Sequence, residues 1–134
     1  MTTVYPVILT KDKDDILIEV PDLEILTEAK SIQEAVVMAR DAIGLTGISM
    51  QDNGDSIPEP SDIDDIDVSK GTFAEVGKGI KTLVDIDFDE YRRKNDNKMV
   101  RRNVTLPNWM NRRAEQEHLN VSRFLQDALA ERYA

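Results

Sequence analysis

The chain has 134 residues, a length typical of one domain or two small ones, and a formal net charge of −9. It contains no Cys and a single His, His118, which excludes disulfides, thiolate nucleophiles, Cys-ligated metals and multi-histidine metal sites within one chain. No apolar run approaches the roughly 20 residues of a membrane span, and the N-terminus lacks the basic stretch and cleavage site of a signal peptide. We therefore expect a cytoplasmic globular protein without a metal or other cofactor.

The charge is divided unevenly along the chain. Residues 1–97 carry 10 Lys and Arg against 22 Asp and Glu, a net of −12, whereas residues 98–134 carry 7 against 4, a net of +3. Proteins bind nucleic-acid phosphates through clustered cations, so only the C-terminal part has the charge for that role. An acidic body followed by a basic tail predicts two separate functions.

Short segments at the N-terminus predict a small antiparallel sheet. Residues 4–10 and 16–20 are rich in β-forming side chains and flank a charged turn, which is typical of a β-hairpin. Pro6 in the first of these segments favours an edge position, because Pro has no N–H to donate to a neighbouring strand. Residues 23–28 alternate apolar and polar side chains and predict a third strand.

One amphipathic helix follows these strands. Ser31 and Glu34 have the spacing of a capping box, which satisfies free backbone N–H groups at a helix start. Apolar residues then recur on one face at helical spacing: Ile32, Ala35, Val36, Ala39, Ala42 and Ile43. Gly44 is a typical helix stop, so the pattern predicts a helix that begins after Ser31, ends at Gly44 and packs on one side of the sheet.

Residues 51–70 interrupt this regularity. Pro, Gly and Asp dominate the segment, which predicts a loop or a mobile stretch whose role the sequence leaves open. Its aspartates lack the Gly and Glu spacing of an EF-hand calcium loop, so we expect a solvated acidic loop. Three later acidic residues alternate and are expected on one exposed strand face, where they can meet a basic partner: Asp85, Asp87 and Asp89.

Two more strands and a linker complete the N-terminal part. Residues 72–76 and 81–87 favour strands, and residues 89–93 favour a short turn of helix. Residues 91–98 are polar without an apolar period, which predicts a linker. The N-terminal domain would then span residues 1–90 and be an α+β unit with one main helix on an antiparallel sheet.

Residues 99–134 are too short to fold alone without a disulfide or a metal, both of which are excluded. Residues 99–106 alternate as a strand, with Val104 and Leu106 on one face. Two amphipathic helices follow, one from about residue 108 to residue 118 and one that begins at a cap formed by Ser122.

A second copy of this segment would supply what a single copy lacks. Two strands pair antiparallel about a two-fold axis, and four helices close a shared core. We expect that core to contain Val104, Leu106, Trp109, Phe124, Leu125 and Leu129. The outer face of the ribbon carries Arg101, Asn103 and Thr105, and such a ribbon fits the DNA major groove, where Arg and Asn read guanine and adenine. Lys98 and the helix start at Ser122 are expected to contact phosphates.

Residues 100–133 resemble a ribbon-helix-helix DNA-binding domain, through the alternation before Leu106-Pro107 and the turn before Ser122. Asn120 stands where that family often has Gly, and Asn also tolerates the left-handed conformation. The whole chain resembles HicB-type antitoxins, in the order of YPVILT, IEVPDLE, the helix from Ser31, IPEPS and TLVDIDFDEYRRK.

The HicB resemblance implies two domains with different partners. Residues 1–90 would form a partial RNase H-like domain that binds and covers a HicA-type, mRNA-cleaving toxin. After the linker of residues 91–98, residues 99–134 would form a ribbon-helix-helix domain that dimerises and represses the toxin–antitoxin operon. The expected partners are the toxin, operator DNA and a second copy of the chain. The dimers could assemble further into a higher oligomer. The resemblance assigns no toxin-contact residues.

Two other functions remain open at this point. A ligand-sensing ribbon-helix-helix regulator without a toxin partner predicts a concave apolar pocket in the N-terminal domain. A nuclease or phosphatase-like enzyme would need several carboxylates around metal ions, one of them in the first strand of an RNase H-like site. Residues 4–10 contain no Asp or Glu, so we expect no enzymatic activity.

Overall fold

The computed structural model describes all 134 residues, which divide into two units, Met1–Lys98 and Met99–Ala134. The first unit is an α+β body with a four-stranded antiparallel sheet and two helices, and the second contains two helices and no strand. The α+β class predicted from the sequence is therefore confirmed. No helix in either unit combines the length and the apolar character needed to cross a membrane.

The sheet is organised around its first strand. β1 (Thr3–Asp12) pairs antiparallel with β2 (Asp15–Val20) and with β4 (Gly79–Ile86), while β3 (Ile25–Ala29) pairs with β2, so the order is β3-β2-β1-β4. β1 is thus a central strand, and not the edge strand that Pro6 suggested. Pro6 is tolerated because its pairing partner lies only in β4, since the β1–β2 ladder begins two residues later, at Ile8.

Helix α1 (Ile32–Asp52) packs on one face of the sheet and closes the hydrophobic core. Ser31 caps it as predicted, because its hydroxyl accepts the backbone N–H of Glu34 at 3.1 Å. The Glu34 carboxylate accepts the N–H of Lys30, also at 3.1 Å. The buried core residues are Tyr5, Val7, Leu9, Ile16, Ile18, Val20, Leu23, Ala29, Ala35, Ala39, Ile43, Val84 and Ile86.

The helix stop predicted at Gly44 is wrong, because α1 continues for about two more turns to Asp52. Helix α2 (Phe88–Asn95) lies against this extension. A Cβ atom at Gly44 would overlap the ring of Tyr91, and one at Gly47 would overlap the ring of Phe88. The two glycines therefore permit a close approach between the helices instead of ending the first one.

We expect Gly47→Ala to destabilise the first unit by about 1–3 kcal/mol, because the added carbon forces the Phe88 ring out of a packed site. This cost opposes the better helix propensity of Ala, which is worth about 1 kcal/mol. Urea unfolding of the full chain measures the difference. Ser49→Ala, at an exposed position of the same helix, should stay within about 0.5 kcal/mol of wild type. A stabilised Gly47→Ala protein would contradict the close packing described here.

Residues 63–72 lie against the face of the sheet opposite α1, which gives a structural role to the acidic segment that the sequence left without one. The Glu19 carboxylate of β2 accepts both the backbone N–H and the hydroxyl of Thr72, at 2.9 and 2.7 Å. The ammonium group of Lys81 in β4 donates to two backbone carbonyls of the segment, at 3.1 and 3.2 Å. Ile8 is only 3% exposed under this cover, so this part of the second face of the sheet is protected from solvent.

The strand predicted over residues 72–76 is wrong. The stretch consists of turns, in which the N–H of Ala74 bonds to the carbonyl of Gly71 and that of Val76 to the carbonyl of Phe73. The bonds between Thr72 and Glu19 of β2 hold residues 72–76 over the face of the sheet. Strands pair at the edge of a sheet, so these residues have no neighbouring strand for backbone hydrogen bonds.

The linker predicted over residues 91–98 is partly helical. α2 continues to Asn95, and the Arg92 guanidinium lies 3.0 Å from a carboxylate oxygen of Asp52 and 2.9 Å from one of Asp96. The same guanidinium donates to the carbonyl of Ile48 at 3.1 Å. Residues 91–95 therefore belong to the first unit, because Arg92 ties them to the end of α1.

Candidate functional site

The second unit consists of α3 (Asn108–Gln116) and α4 (Val121–Arg132), preceded by residues 99–107 without regular structure. The strand predicted over residues 99–106 is thus absent from the single chain. A strand requires a neighbour for its backbone hydrogen bonds, and this unit contains no other strand that could provide one.

The second unit has no hydrophobic core of its own. None of its side chains is buried, and only Ala114 and Val121 are half-buried. It carries 11 of the 21 large hydrophobic side chains that the whole chain exposes. The six residues predicted for a dimer core are among them: Val104 52%, Leu106 37%, Trp109 68%, Phe124 62%, Leu125 37% and Leu129 42% exposed. An apolar surface of this density is typical of a unit that is covered by a partner.

The residues predicted to bind DNA are all accessible. Lys98, Arg101, Asn103 and Thr105 are exposed in the segment before α3, and Ser122 is exposed in the first turn of α4. No ion pair or side-chain hydrogen bond within the chain involves any of them. Their polar groups are therefore available to a ligand.

The cap of α4 differs from the prediction. Asn120, and not Ser122, is the capping residue, because its side-chain oxygen accepts the N–H of Arg123 at 3.1 Å. Asn120 also has an ordinary φ of −77°, whereas the left-handed residue of this turn is His118, with a φ of 52°. The cap leaves the N–H groups of Val121 and Ser122 without a partner in the chain, so the helix start keeps the donors that a phosphate needs.

In the first unit, the exposed side of α1 is bordered by a groove on each flank. The larger groove, of about 880 Å³, lies between the start of α1 and the end of β3, and is lined by residues that include Glu28 and Met38. The smaller, of about 410 Å³, lies between α1, the end of β4 and α2, and includes Glu90. Val37 and Asp41 line both grooves, so α1 forms a ridge between them. Most of the lining side chains are polar or charged.

Acidic groups dominate the electrostatics of these grooves. The Arg40 guanidinium donates to the Asp85 carboxylate at 2.8 Å and to its carbonyl at 3.0 Å, and it lowers the pKa of that carboxyl. The Tyr91 hydroxyl donates to Asp41 at 2.9 Å, and burial together with this carboxylate raises the pKa of Tyr91 to about 12. Asp85 is charged and Tyr91 neutral at neutral pH, as these residue types ordinarily are, and both pKa shifts widen the pH range over which these states hold.

The alternating aspartates after residue 84 do not share one strand face as predicted. Asp85 lies in β4, but Asp87 is the capping residue of α2, where its carboxylate accepts the N–H of Glu90 at 3.2 Å. Asp89 lies in the first turn of that helix. β4 ends at Ile86, and side chains alternate between two faces only within a strand. The alternation of Asp85, Asp87 and Asp89 in the sequence therefore does not place them on one face.

Two aspartates of the acidic segment have local structural roles. Asp62 and Asp67 each cap a short 3-10 turn, and the Asp67 carboxylate accepts the hydroxyl of Ser69 at 2.6 Å. The bonds from Ser69 lower the pKa of Asp67. No three His, Asp or Glu side chains of the protein lie close enough together to hold a metal ion.

The sequence and the fold are similar to those of known antitoxins. The family model for HicB-like antitoxins of bacterial toxin–antitoxin systems matches residues 5–129. A toxin–antitoxin complex from Streptococcus pneumoniae contains a chain 23% identical to this one, with a TM-score of 0.64, and the match covers 98% of this chain and 99% of that one. The antitoxin HicB of Burkholderia pseudomallei is 22% identical, with a TM-score of 0.54, over 98% and 96% of the two chains. No curated protein matches.

These similarities extend over both units of the chain. The two solved structures show that the fold is shared nearly end to end, and the family match begins at the first strand and ends within α4. The resemblance drawn from the order of the sequence motifs is therefore confirmed. The protein belongs to the HicB-like antitoxin family of bacterial toxin–antitoxin systems.

Proposed function

We propose that this protein neutralises a HicA-type, mRNA-cleaving toxin with its first unit and represses its own operon with its second. It acts by binding both partners and has no catalytic role. The partial RNase H-like relationship of the first unit, implied by the HicB resemblance, remains a prediction.

The charge of the first unit carries the proposal of a toxin partner. A ribonuclease needs a basic surface to bind RNA, because the phosphates of its substrate are negative. Residues 1–97 have a net charge of −12, which complements such a surface and accelerates association with it. The family match and the Streptococcus pneumoniae toxin–antitoxin complex support this pairing.

The second unit supports the proposal of a dimeric DNA-binding module. Its exposed apolar side chains need a partner surface, and a second copy supplies both that surface and a strand to pair with residues 99–106. The resulting ribbon presents Arg101, Asn103 and Thr105 twice, and Lys98 adds positive charge for phosphates. The net charge of +3 over residues 98–134 makes this end suited to DNA despite the acidic total.

The grooves of the first unit favour the antitoxin over the ligand-sensing regulator. A small-molecule sensor needs a concave and mostly apolar pocket. Both grooves are instead open along the ridge of α1 and contain several charged side chains. This chemistry suits a charged macromolecular surface better than a small apolar ligand.

We expect the full chain to co-purify with a small basic protein encoded beside its gene, and the complex to weaken by about tenfold as salt rises from 0.1 to 1 M. Over that range the screening length falls from about 10 Å to about 3 Å. Co-expression, pull-down and titration calorimetry measure both results. A fragment of residues 1–98, which contains the complete sheet and core, should retain binding. Affinity that is independent of salt, or that requires only residues 99–134, would contradict the proposal.

A further inference from the structure

We infer that the ridge of α1 and its two grooves are the surface that binds the toxin. The toxin would contribute a basic surface that also carries an exposed apolar side chain. This inference rests on the proposed function and assigns its site. We call this surface the α1 ridge and define it by Glu28, Glu34, Val37, Met38 and Asp41.

The centre of the α1 ridge is apolar. Val37 is 62% exposed and Met38 41% exposed, although the core beneath α1 is complete without them. Both residues line the larger groove, and Val37 also lines the smaller one. They form a small apolar centre with polar side chains on both flanks, which is the usual anatomy of a protein–protein interface.

The charges around this centre are unbalanced. Every Lys and Arg that lines the two grooves is already engaged, because Lys30, Arg40 and Lys94 pair with Asp15, Asp85 and Glu90. Glu28, Glu34 and Asp41 have no cation within ion-pair distance. These three carboxylates therefore offer positions for the cations of a partner.

This combination selects one class of occupant. A second copy of the chain would place acidic ridges against each other, and like charges across an interface are costly. Nucleic acid would be repelled for the same reason. A small ligand needs an enclosed pocket, whereas these grooves are open. A basic protein with an apolar side chain for the centre satisfies both features, and the RNA-binding side of a ribonuclease has that charge.

A matched pair of lysine substitutions tests the apolar centre. The probe is the toxin encoded beside the gene, purified from the co-expressed complex, and the readout is titration calorimetry with the full-length antitoxin. We expect Val37→Lys to weaken binding at least about tenfold, because it sets a cation against a basic partner. Leu45→Lys makes the same change at a 58%-exposed position of α1 that lines neither groove, and should stay within about twofold of wild type. Circular dichroism checks that both variants are folded.

A second pair of variants tests the carboxylates, with the same change in total charge in each variant. Glu28→Gln with Asp41→Asn removes two ridge charges, and the Asn oxygen can still accept the Tyr91 hydroxyl. Asp64→Asn with Asp65→Asn removes two charges from the acidic segment on the opposite side of the sheet, where neither side chain makes a bond within the chain. We expect only the ridge variant to bind about tenfold more weakly in the same calorimetry, with a flatter salt dependence of its affinity.

The outcomes separate the surface from the function. Equal losses of affinity in the ridge and control variants would show that only total charge matters, and would overturn the α1 ridge as the site. Wild-type affinity in both ridge variants would place the toxin elsewhere, while the antitoxin function would stand. Failure of the wild-type chain to bind the toxin would overturn the proposed function and this surface together.

Discussion

Trp109→Ala is expected to convert a dimeric protein into a monomer, at a cost of about 3–5 kcal/mol for the shared core. In the single chain the Trp109 side chain is 68% exposed, so its removal should have little effect on an isolated monomer. In the proposed dimer the same change opens a cavity in the core between the two copies. A large loss of stability in Trp109→Ala would therefore indicate that a second copy of the chain covers Trp109. Sedimentation equilibrium and concentration-dependent unfolding measure it.

Val37→Ala is a suitable control for the Trp109 substitution, because Val37 is similarly exposed but lies in the first unit. It should leave the association state unchanged. If the wild-type chain sedimented as a monomer while α3 and α4 stayed helical by circular dichroism, the shared-core arrangement would be wrong.

Arg101→Ala and Asn103→Ala are each expected to remove about 1–3 kcal/mol of discrimination for every base that the side chain reads, and the two-fold symmetry makes every substitution count twice. In the proposed ribbon, Arg101 and Asn103 would lie on the face that the shared core leaves free. Lys98→Ala should instead weaken binding to all sequences alike and lower the salt slope by about one unit for each phosphate that Lys98 neutralises. Gel shifts on operator and scrambled duplexes at two salt concentrations separate the two behaviours.

Arg102 is the control for the proposed strand register, in which Arg101 and Asn103 face the DNA and Arg102 faces the other side. In the proposed strand, the alternation would point the Arg102 side chain toward the core side, where it would reach solvent or a phosphate at the edge of the ribbon. Arg102→Ala should therefore leave base discrimination intact. If specificity disappeared in Arg102→Ala while Arg101→Ala and Asn103→Ala were silent, the proposed strand register would be off by one.

Local patterns were sufficient where the interactions are local. The period of two in the first three strands and the pairing of Ser31 with Glu34 depend on neighbours a few residues away, and the structure contains those elements. The strand before α2 was also found, although its end at Ile86 was not. The order of the motifs along the chain was enough to identify the family.

Gly44 shows why the sequence could not define α1 completely. A glycine after an apolar period is the same signal whether a helix ends there or another element packs closely against it. The aromatic rings that decide between these meanings lie about 40 residues later, in α2. The strand prediction for residues 72–76 was wrong for a similar reason, because a contact with Glu19 in β2 overrides their β propensity.

The candidate toxin surface depends still more on tertiary structure. Val37 and Met38 could be recognised from the sequence as apolar residues off the buried face of α1, but nothing local shows that Lys30, Arg40 and Lys94 are already neutralised. For Arg40 the partner is Asp85, 45 residues away. By itself the sequence determined the α+β class, the family, the start of α1 and the separation of acidic and basic ends. Only the tertiary structure decided the length of α1, the position of residues 63–72 over the sheet and the unpaired carboxylates of the ridge, because each depends on contacts between residues far apart in the chain.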